Sequence, residues 1–218
     1  METPEAFVEA LDVYIGDALR RIGERSGAAP PDGLTVAGLL RVALRNELEA
    51  AEEAALWMST ERALDVKLAL ARQCGDEARH YRLIEARLRA LGVDLDGWDP
   101  LAEGPSPMYT HLAALRSTVE RVAAGPFARE ALAQVRNEVF IGFCEAHGDA
   151  ETAALYREVV QPDEAHHHAL GRRLLLRLAV TPEDQALARA AVERTLALAE
   201  ELQEVARLRR GIACAPGC

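Results

Sequence analysis

Two short acidic stretches that contain histidine, DEARH at residues 76–80 and DEAHH at residues 163–167, each interrupt a helical pattern of apolar residues. In an α-helix, residues i and i+3 lie on one face, so the glutamate and the histidine of each stretch project side by side. Carboxylates that are buried together cost free energy unless cations neutralise them. The repeated stretch therefore predicts that two helices share a charge-neutralising partner.

A second motif also occurs twice, in the same order relative to the first. RNEL at residues 45–48 precedes DEARH, and RNEV at residues 136–139 precedes DEAHH, with nearly the same spacing in both halves of the chain. The duplication predicts two helical hairpins of like design, each with a single glutamate on its first helix. Two such hairpins joined by a long crossover through residues 92–126 make a four-helix bundle with approximate twofold symmetry.

The positions of these residues relative to the predicted turns favour one shared site. Glu77 follows the first turn, at Ser59, at a somewhat greater distance along the chain than Glu47 precedes it. Glu164 likewise follows the second turn at a greater distance along the chain than Glu138 precedes it. The difference between the two distances is the same in both hairpins. We therefore expect the four glutamates to meet in the bundle.

The composition is typical of long packed helices. Half of the residues are hydrophobic, 5% are aromatic, and sequence patterns typical of β-strands and β-hairpins are nearly absent. We therefore expect an all-α fold, a four-helix bundle with a long crossover and extra N- and C-terminal helices. We expect one domain over residues 1–218, with the bundle core at about residues 35–180 and flanking helices at about residues 4–25 and 182–210.

Charge and hydropathy argue against several partners. The formal net charge of −10 disfavours nucleic acid and anionic membranes, which attract basic surfaces. No run of 18 uncharged apolar residues could span a bilayer, and the first residues resemble an amphipathic helix and not a signal peptide. The four cysteines form no disulfide framework for a chain of this length, so we expect a cytoplasmic protein.

The clustered side chains predict a metal site. Carboxylate oxygens and imidazole nitrogens suit iron or manganese, and four glutamates balance two divalent ions. We expect two such ions, iron before manganese or a mixed Mn/Fe pair. The predicted ligands are Glu47, Glu77, His80, Glu138, Glu164 and His167.

These motifs resemble those of the ferritin-like di-iron carboxylate superfamily over roughly residues 35–180. The resemblance rests on a single glutamate followed by Glu-x-x-His, twice in one chain, and it implies a ferritin-like bundle. It also implies that Asp76 and Asp163 hydrogen-bond the ligand histidines and fix their orientation. The alternative for both aspartates is a solvated charge on the helix face.

Several functions use such a site, and the fold alone does not choose between them. The first hypothesis is an oxidoreductase that uses dioxygen or peroxide to oxidise an unknown small molecule, with a separate electron donor. The alternatives are iron handling (ferroxidase, storage or peroxide scavenging) and a non-enzymatic bundle stabilised by its metal. The acidic charge disfavours the related tRNA-hydroxylase activity, and the long amphipathic outer helices are compatible with a homodimer. No catalytic side chain is assigned.

For a few further residues, the sequence pattern does not decide between a structural role and a role at the site. Gln73 is a candidate buried hydrogen-bond donor, and Tyr156 is expected in the bundle interior as core packing or near a ligand. Asn46 and Asn137 recur in the RNE motifs with no assigned role. The CAPGC sequence at residues 214–218 is either a metal clip, a disulfide or an ordinary tail.

Overall fold

The computed structural model describes residues 2–26, 33–212 and 214–217, and within these ranges the chain is all-helical. Cys218, on which a clip or disulfide in the CAPGC sequence depends, lies outside them. None of the helices in those ranges is both long enough and apolar enough to cross a membrane. The helices are α1 (Pro4–Ser26), α2 (Val36–Thr60), α3 (Leu64–Ala90), α4 (Pro107–Ala113), α5 (Thr118–Val122), α6 (Glu130–Ala146), α7 (Ala150–Leu155), α8 (Gln161–Leu178) and α9 (Pro182–Arg210).

The first predicted hairpin is formed by α2 and α3, which pack along one another. Thr35 caps α2 by accepting a hydrogen bond from the amide of Gly38, which satisfies one of the orphan donors at a helix start. The turn lies at residues 61–63, slightly later than predicted. There the Glu61 carboxylate accepts hydrogen bonds from the amides of Arg62 and Ala63 at 2.7 and 2.9 Å and so holds the reversal in place.

The second hairpin contains two π-helical stretches. The first, Ala123–Arg129, joins α5 to α6, and the second, Tyr156–Val160, joins α7 to α8. The sequence predicts a helix break at Gly125-Pro126, but the helix continues through both residues. Proline lacks an amide hydrogen and normally disrupts the α-helical ladder, and the wider π-helical turn accommodates it without ending the helix.

A close backbone contact joins the two arms of this hairpin. A Cβ atom on Gly171 of α8 would lie 2.6 Å from the carbonyl carbon of Pro126, so only glycine allows this approach. Beside it, Nδ1 of His168 donates a hydrogen bond of 2.7 Å to the Phe127 carbonyl, and the two rings stack at 5.1 Å. These contacts fix the height of α8 relative to the start of α6.

The core consists mainly of two apolar clusters separated by a buried polar layer. One cluster contains Trp57 and Leu70, and the other contains Leu44 and Ile84. Along α2 and α3 the polar layer falls between the clusters, at residues 47–53 of α2 and residues 73–80 of α3. Because apolar burial supplies about 25 cal/mol per Å², both clusters stabilise the bundle and hold the polar layer away from water.

Helices α1 and α9 flank the bundle. α1 packs on α6, α8 and α9, while α9 packs on α5 and the first π-helical stretch. Thr181 and Asp184 form a reciprocal capping box at the start of α9, and Gly211 ends that helix with φ of 68°. The chain after Gly211 turns back towards the bundle.

Candidate metal centre

The buried polar layer brings together five of the six predicted ligand residues. Their side chains join one further glutamate, Glu130, in two overlapping groups, and within each group one candidate ligand atom per residue lies within 4.8 Å of the others. All six residues of these groups are buried. The first group is Glu47, Glu77, His80 and Glu164, and the second is Glu77, Glu130, Glu164 and His167.

The prediction for Glu138 differs from the structure. Glu138 is exposed and belongs to neither group, whereas Glu130, two turns earlier on α6, is fully buried within the second group. Asn137, not its neighbour Glu138, is the buried polar residue of the RNEV motif. The internal repeat therefore does not align the two halves at the site.

The observed positions of the turns explain why Glu130, and not Glu138, lies in the cluster. Antiparallel helices bring two residues to the same height only when both lie equally far from the turn. Glu47 and Glu77 lie equally far from the turn between α2 and α3, and Glu130 and Glu164 lie almost equally far from the turn between α6 and α7. Glu138 lies much closer to that second turn than Glu164 does, a mismatch of about 9 Å at about 1.5 Å per residue.

The two aspartates bind the histidines crosswise. Nε2 of His80 lies 2.9 Å from Oδ2 of Asp163, and Nε2 of His167 lies 3.0 Å from Oδ2 of Asp76. Each aspartate therefore reaches the histidine of the opposite hairpin. Burial alone would raise the pKa of Asp163, but the hydrogen bond from His80 and the charges of His80 and Arg79 hold that pKa below its usual value. We infer that Asp163 remains ionised and accepts the Nε2–H proton of His80, and the geometry places Asp76 as the acceptor of the Nε2–H proton of His167.

The hydrogen bond at Nε2 determines whether Nδ1 of the same ring carries a proton or a lone pair. With Nε2 donating to aspartate, the Nδ1 atom of each neutral imidazole carries a lone pair towards the carboxylates. Nδ1 of His80 lies 3.3 Å from oxygens of both Glu47 and Glu77, and Nδ1 of His167 lies 3.6 Å from Glu77. Acceptors facing acceptors repel, so a cation or protons must lie between them.

Several of these buried atoms have no hydrogen-bond donor among the described residues. They include both carboxylate oxygens of Glu77 and Oε1 of Glu47, together with Nδ1 of His167. A buried polar atom that lacks a partner costs about 1–3 kcal/mol, and a charged one costs more. Oxygen and nitrogen atoms aimed at one small region are the donor set of a divalent cation, so these residues fit a metal.

Without a metal, protons neutralise the cluster unequally. Burial is the main cause that raises the pKa of Glu77 to about 8, and the charges of Glu130 and Glu47 add to it. Burial and the charges of neighbouring carboxylates also raise the pKa of Glu164. Burial opposes ionisation of Glu130 as well, but the hydrogen bond with Glu164 and the nearby imidazole of His167 lower its pKa to about 2.

The histidines compensate part of this negative charge. Burial lowers the pKa of His80, but the nearby carboxylates of Glu47 and Glu77 outweigh it and raise the pKa to about 12. Burial likewise lowers the pKa of His167, but the nearby carboxylate of Glu130 and the charges of the other surrounding carboxylates raise it to about 9. The cluster therefore retains protons at neutral pH unless a stronger cation displaces them.

Other polar residues support the centre from the side. Nε2 of Gln73 donates a hydrogen bond to Oε1 of Glu130, as expected for a buried donor. Arg129 lies next to Glu130 in sequence and forms a buried ion pair of 2.6 Å with Glu53. Tyr156 is fully buried, as predicted, but its ring packs edge-on against Phe140 in an apolar cluster and it belongs to neither metal-site group.

Comparison with known proteins identifies no relative. No protein-family model, no curated protein and no solved structure matches this chain. The resemblance to the ferritin-like superfamily therefore stays a prediction from the residues.

Proposed function

We propose that the buried cluster binds two divalent metal ions in a ferritin-like bundle. The observation that carries this proposal is that the two groups share Glu77 and Glu164. Glu47 and His80 would complete one ion position, and Glu130 and His167 the other. Four ionised glutamates would balance two divalent charges, with both histidines neutral, and Glu77 and Glu164 would be ligands common to both positions.

We further propose that the protein is an oxidoreductase. Two iron ions would supply electrons for the reduction of dioxygen or peroxide. The chain itself holds the ligands through Asp76 and Asp163, and the two apolar clusters exclude bulk water. A cavity of about 160 Å³ is lined in part by Asn46 and Arg129, which directly precede the candidate ligands Glu47 and Glu130 in the sequence. The cavity has room for only a small molecule. A small substrate therefore fits better than a macromolecule.

Anaerobic titration with ferrous ion tests the metal proposal. We expect uptake to saturate at about two equivalents per chain, as for other bundles with paired carboxylate motifs. Saturation below half an equivalent would contradict the proposal. Cobalt(II) gives a parallel measurement, because its visible spectrum reports oxygen and nitrogen ligation without redox chemistry.

Exposure of the iron-loaded protein to dioxygen separates the functional alternatives. An oxidoreductase should oxidise only its bound iron, stop, and resume when a reductant is added. Continued oxidation of many added iron equivalents with growth of a mineral core would instead favour iron storage. Bound iron that does not react with dioxygen or peroxide would favour a non-enzymatic, metal-stabilised bundle.

A further inference from the structure

The chain after α9 returns to the bundle and lies directly beside the candidate metal centre. We define the strap as residues 214–217, of which Pro216 and Gly217 are buried. Nδ2 of Asn46 donates a hydrogen bond of 3.0 Å to the Pro216 carbonyl, and the amide of Gly217 donates one of 2.8 Å to Oδ1 of Asn137. The two asparagines of the repeated RNE motifs thus hold the strap on α2 and α6.

The strap contacts a side chain of the centre itself. A Cβ atom on Gly217 would lie 2.8 Å from Oε1 of Glu47 and 3.3 Å from Cβ of Asn46. Gly217 also has φ of 87°, a conformation that side chains other than glycine rarely adopt. The Glu47 oxygen nearest to the strap is the one that accepts no hydrogen bond from the described residues, so the strap covers an atom available to a cation.

Two cavities meet at this segment. The inner cavity of about 160 Å³ reaches Asn46, next to Glu47, whereas the outer cavity of about 810 Å³ lies among Arg41, Trp98 and Val205. Ile212 and Ala215 line both cavities. Residues of the strap and next to it therefore form part of the wall between the outer cavity and the inner cavity.

We propose that the strap closes the access route to the Glu47 side of the metal centre and must lift before a metal ion or small substrate enters. This inference rests on the metal-binding function proposed above. The strap is held by the hydrogen bonds with Asn46 and Asn137, by a long one from the Cys214 thiol to the Arg136 carbonyl, and by contacts of small residues, so it can lift without unfolding α2 or α6. The outer cavity then becomes the vestibule of the centre.

Cobalt(II) uptake tests the proposal, with the full chain compared with four variants. Gly217→Ala prevents the strap from lying against Glu47, and a chain ending at Gly211 removes it. Gly92→Ala is the matched control, because Gly92 also has positive φ (79°) but has no heavy atom within 4 Å of its added Cβ. Uptake is followed by stopped-flow absorbance and release by transfer to a chelator. Hydrogen exchange of the Gly217 amide measures independently whether the strap lies in place.

We expect the Gly217→Ala and shortened chains to take up and release cobalt about tenfold faster or more, as for an open state populated at about 10% or less in the full chain. The amount bound at saturation should stay unchanged, and Gly92→Ala should behave like the full chain. Asn137→Ala should speed both uptake and exchange of the Gly217 amide, which keeps the proposal testable if the shortened chain fails to fold.

Two other results would overturn the proposal in distinguishable ways. Equal or slower uptake by the strap variants, with normal saturation, would refute the gating role and leave the metal centre standing. Absence of uptake in every chain, the full one included, would refute the metal-binding function and the gate together.

Discussion

At the scale of single residues, the fourth glutamate decides the composition of the centre. Glu130 and Glu138 lie on the same helix, about two turns apart, but only Glu130 is buried beside Glu77 and Glu164. Its neighbours support this role, because Gln73 donates to it and hydrogen bonds from the cluster keep it ionised. The two glutamates provide a ligand candidate and a matched surface control.

Replacing Glu130 by Gln should remove about half of the bound metal, because it takes one carboxylate from one of the two ion positions. Glu138→Gln should leave metal content unchanged, since that side chain is exposed. Metal analysis of both variants after anaerobic loading measures the difference. Equal loss in both variants, or loss only in Glu138→Gln, would contradict the assignment of Glu130.

Replacing Asp163 by Asn should weaken metal binding by about 10–100-fold, the usual effect of losing a group that orients a ligand histidine. The amide oxygen still accepts from His80, but the negative charge that favours this tautomer is lost. Competition with a chelator measures the affinity, and Asp17→Asn, at a surface ion pair with Arg20, serves as the control. An unchanged affinity would show that the charge of Asp163 does not support metal binding.

At the scale of elements, the first π-helical stretch sets the height of Glu130. The stretch ends at Arg129, immediately before Glu130, and α8 packs on its backbone through Gly171. Single-turn π-helical insertions often occur at functional sites because they reposition side chains within a continuous helix. The sequence predicts a break here because Gly-Pro usually ends a helix.

Gly171→Ala should destabilise the protein by about 1–3 kcal/mol, as expected when a group is forced into a well-packed contact. The added methyl group would meet the Pro126 backbone at 2.6 Å, and separation of the arms should also weaken metal binding. Gly142→Ala, at an exposed position of α6 with no atom within 4 Å, should instead stabilise by about 0.5–1 kcal/mol. Thermal or denaturant unfolding of both variants tests the contrast, and equal stability would refute the close contact.

At the scale of the whole molecule, a charged layer divides the apolar core. Glu77 is the clearest case, because burial raises its pKa from the ordinary 4.5 to about 8. The stability that comes from its protonated form is fully present below its unfolded pKa and is lost as the pH rises through about 8. The raised pKa of His80 acts in the same direction, with its contribution lost at higher pH.

The metal-free protein should therefore melt at progressively lower temperature as the pH rises from about 5 to about 8. A divalent metal should reverse this trend, because metal binds the deprotonated ligands and its affinity rises with pH. Melting curves over this range, with chelator and with cobalt(II), provide the measurement. A flat profile with chelator, or a metal effect that shrinks at higher pH, would contradict the coupling of protons and metal in the cluster.

Local patterns predicted most of the helices and much of the site. The i, i+3 spacing placed Glu77 with His80 and Glu164 with His167, and the structure buries all four together. The adjacent aspartates were predicted to bind histidines, and they do so, although each reaches the opposite hairpin. That crossing depends on how two hairpins face one another, which no single helix encodes in its own pattern.

The sequence by itself determined the all-helical class and five members of the cluster, because helical period and i, i+3 neighbours are set within a few residues. Only the tertiary structure decided that Glu130 replaces Glu138 and that residues 214–217 cover Glu47. Both depend on the relative positions of distant segments along the bundle axis, that is, on their relative heights. Those heights follow from where the turns fall, from a π-helical stretch that continues through proline, and from backbone contacts that only glycine permits.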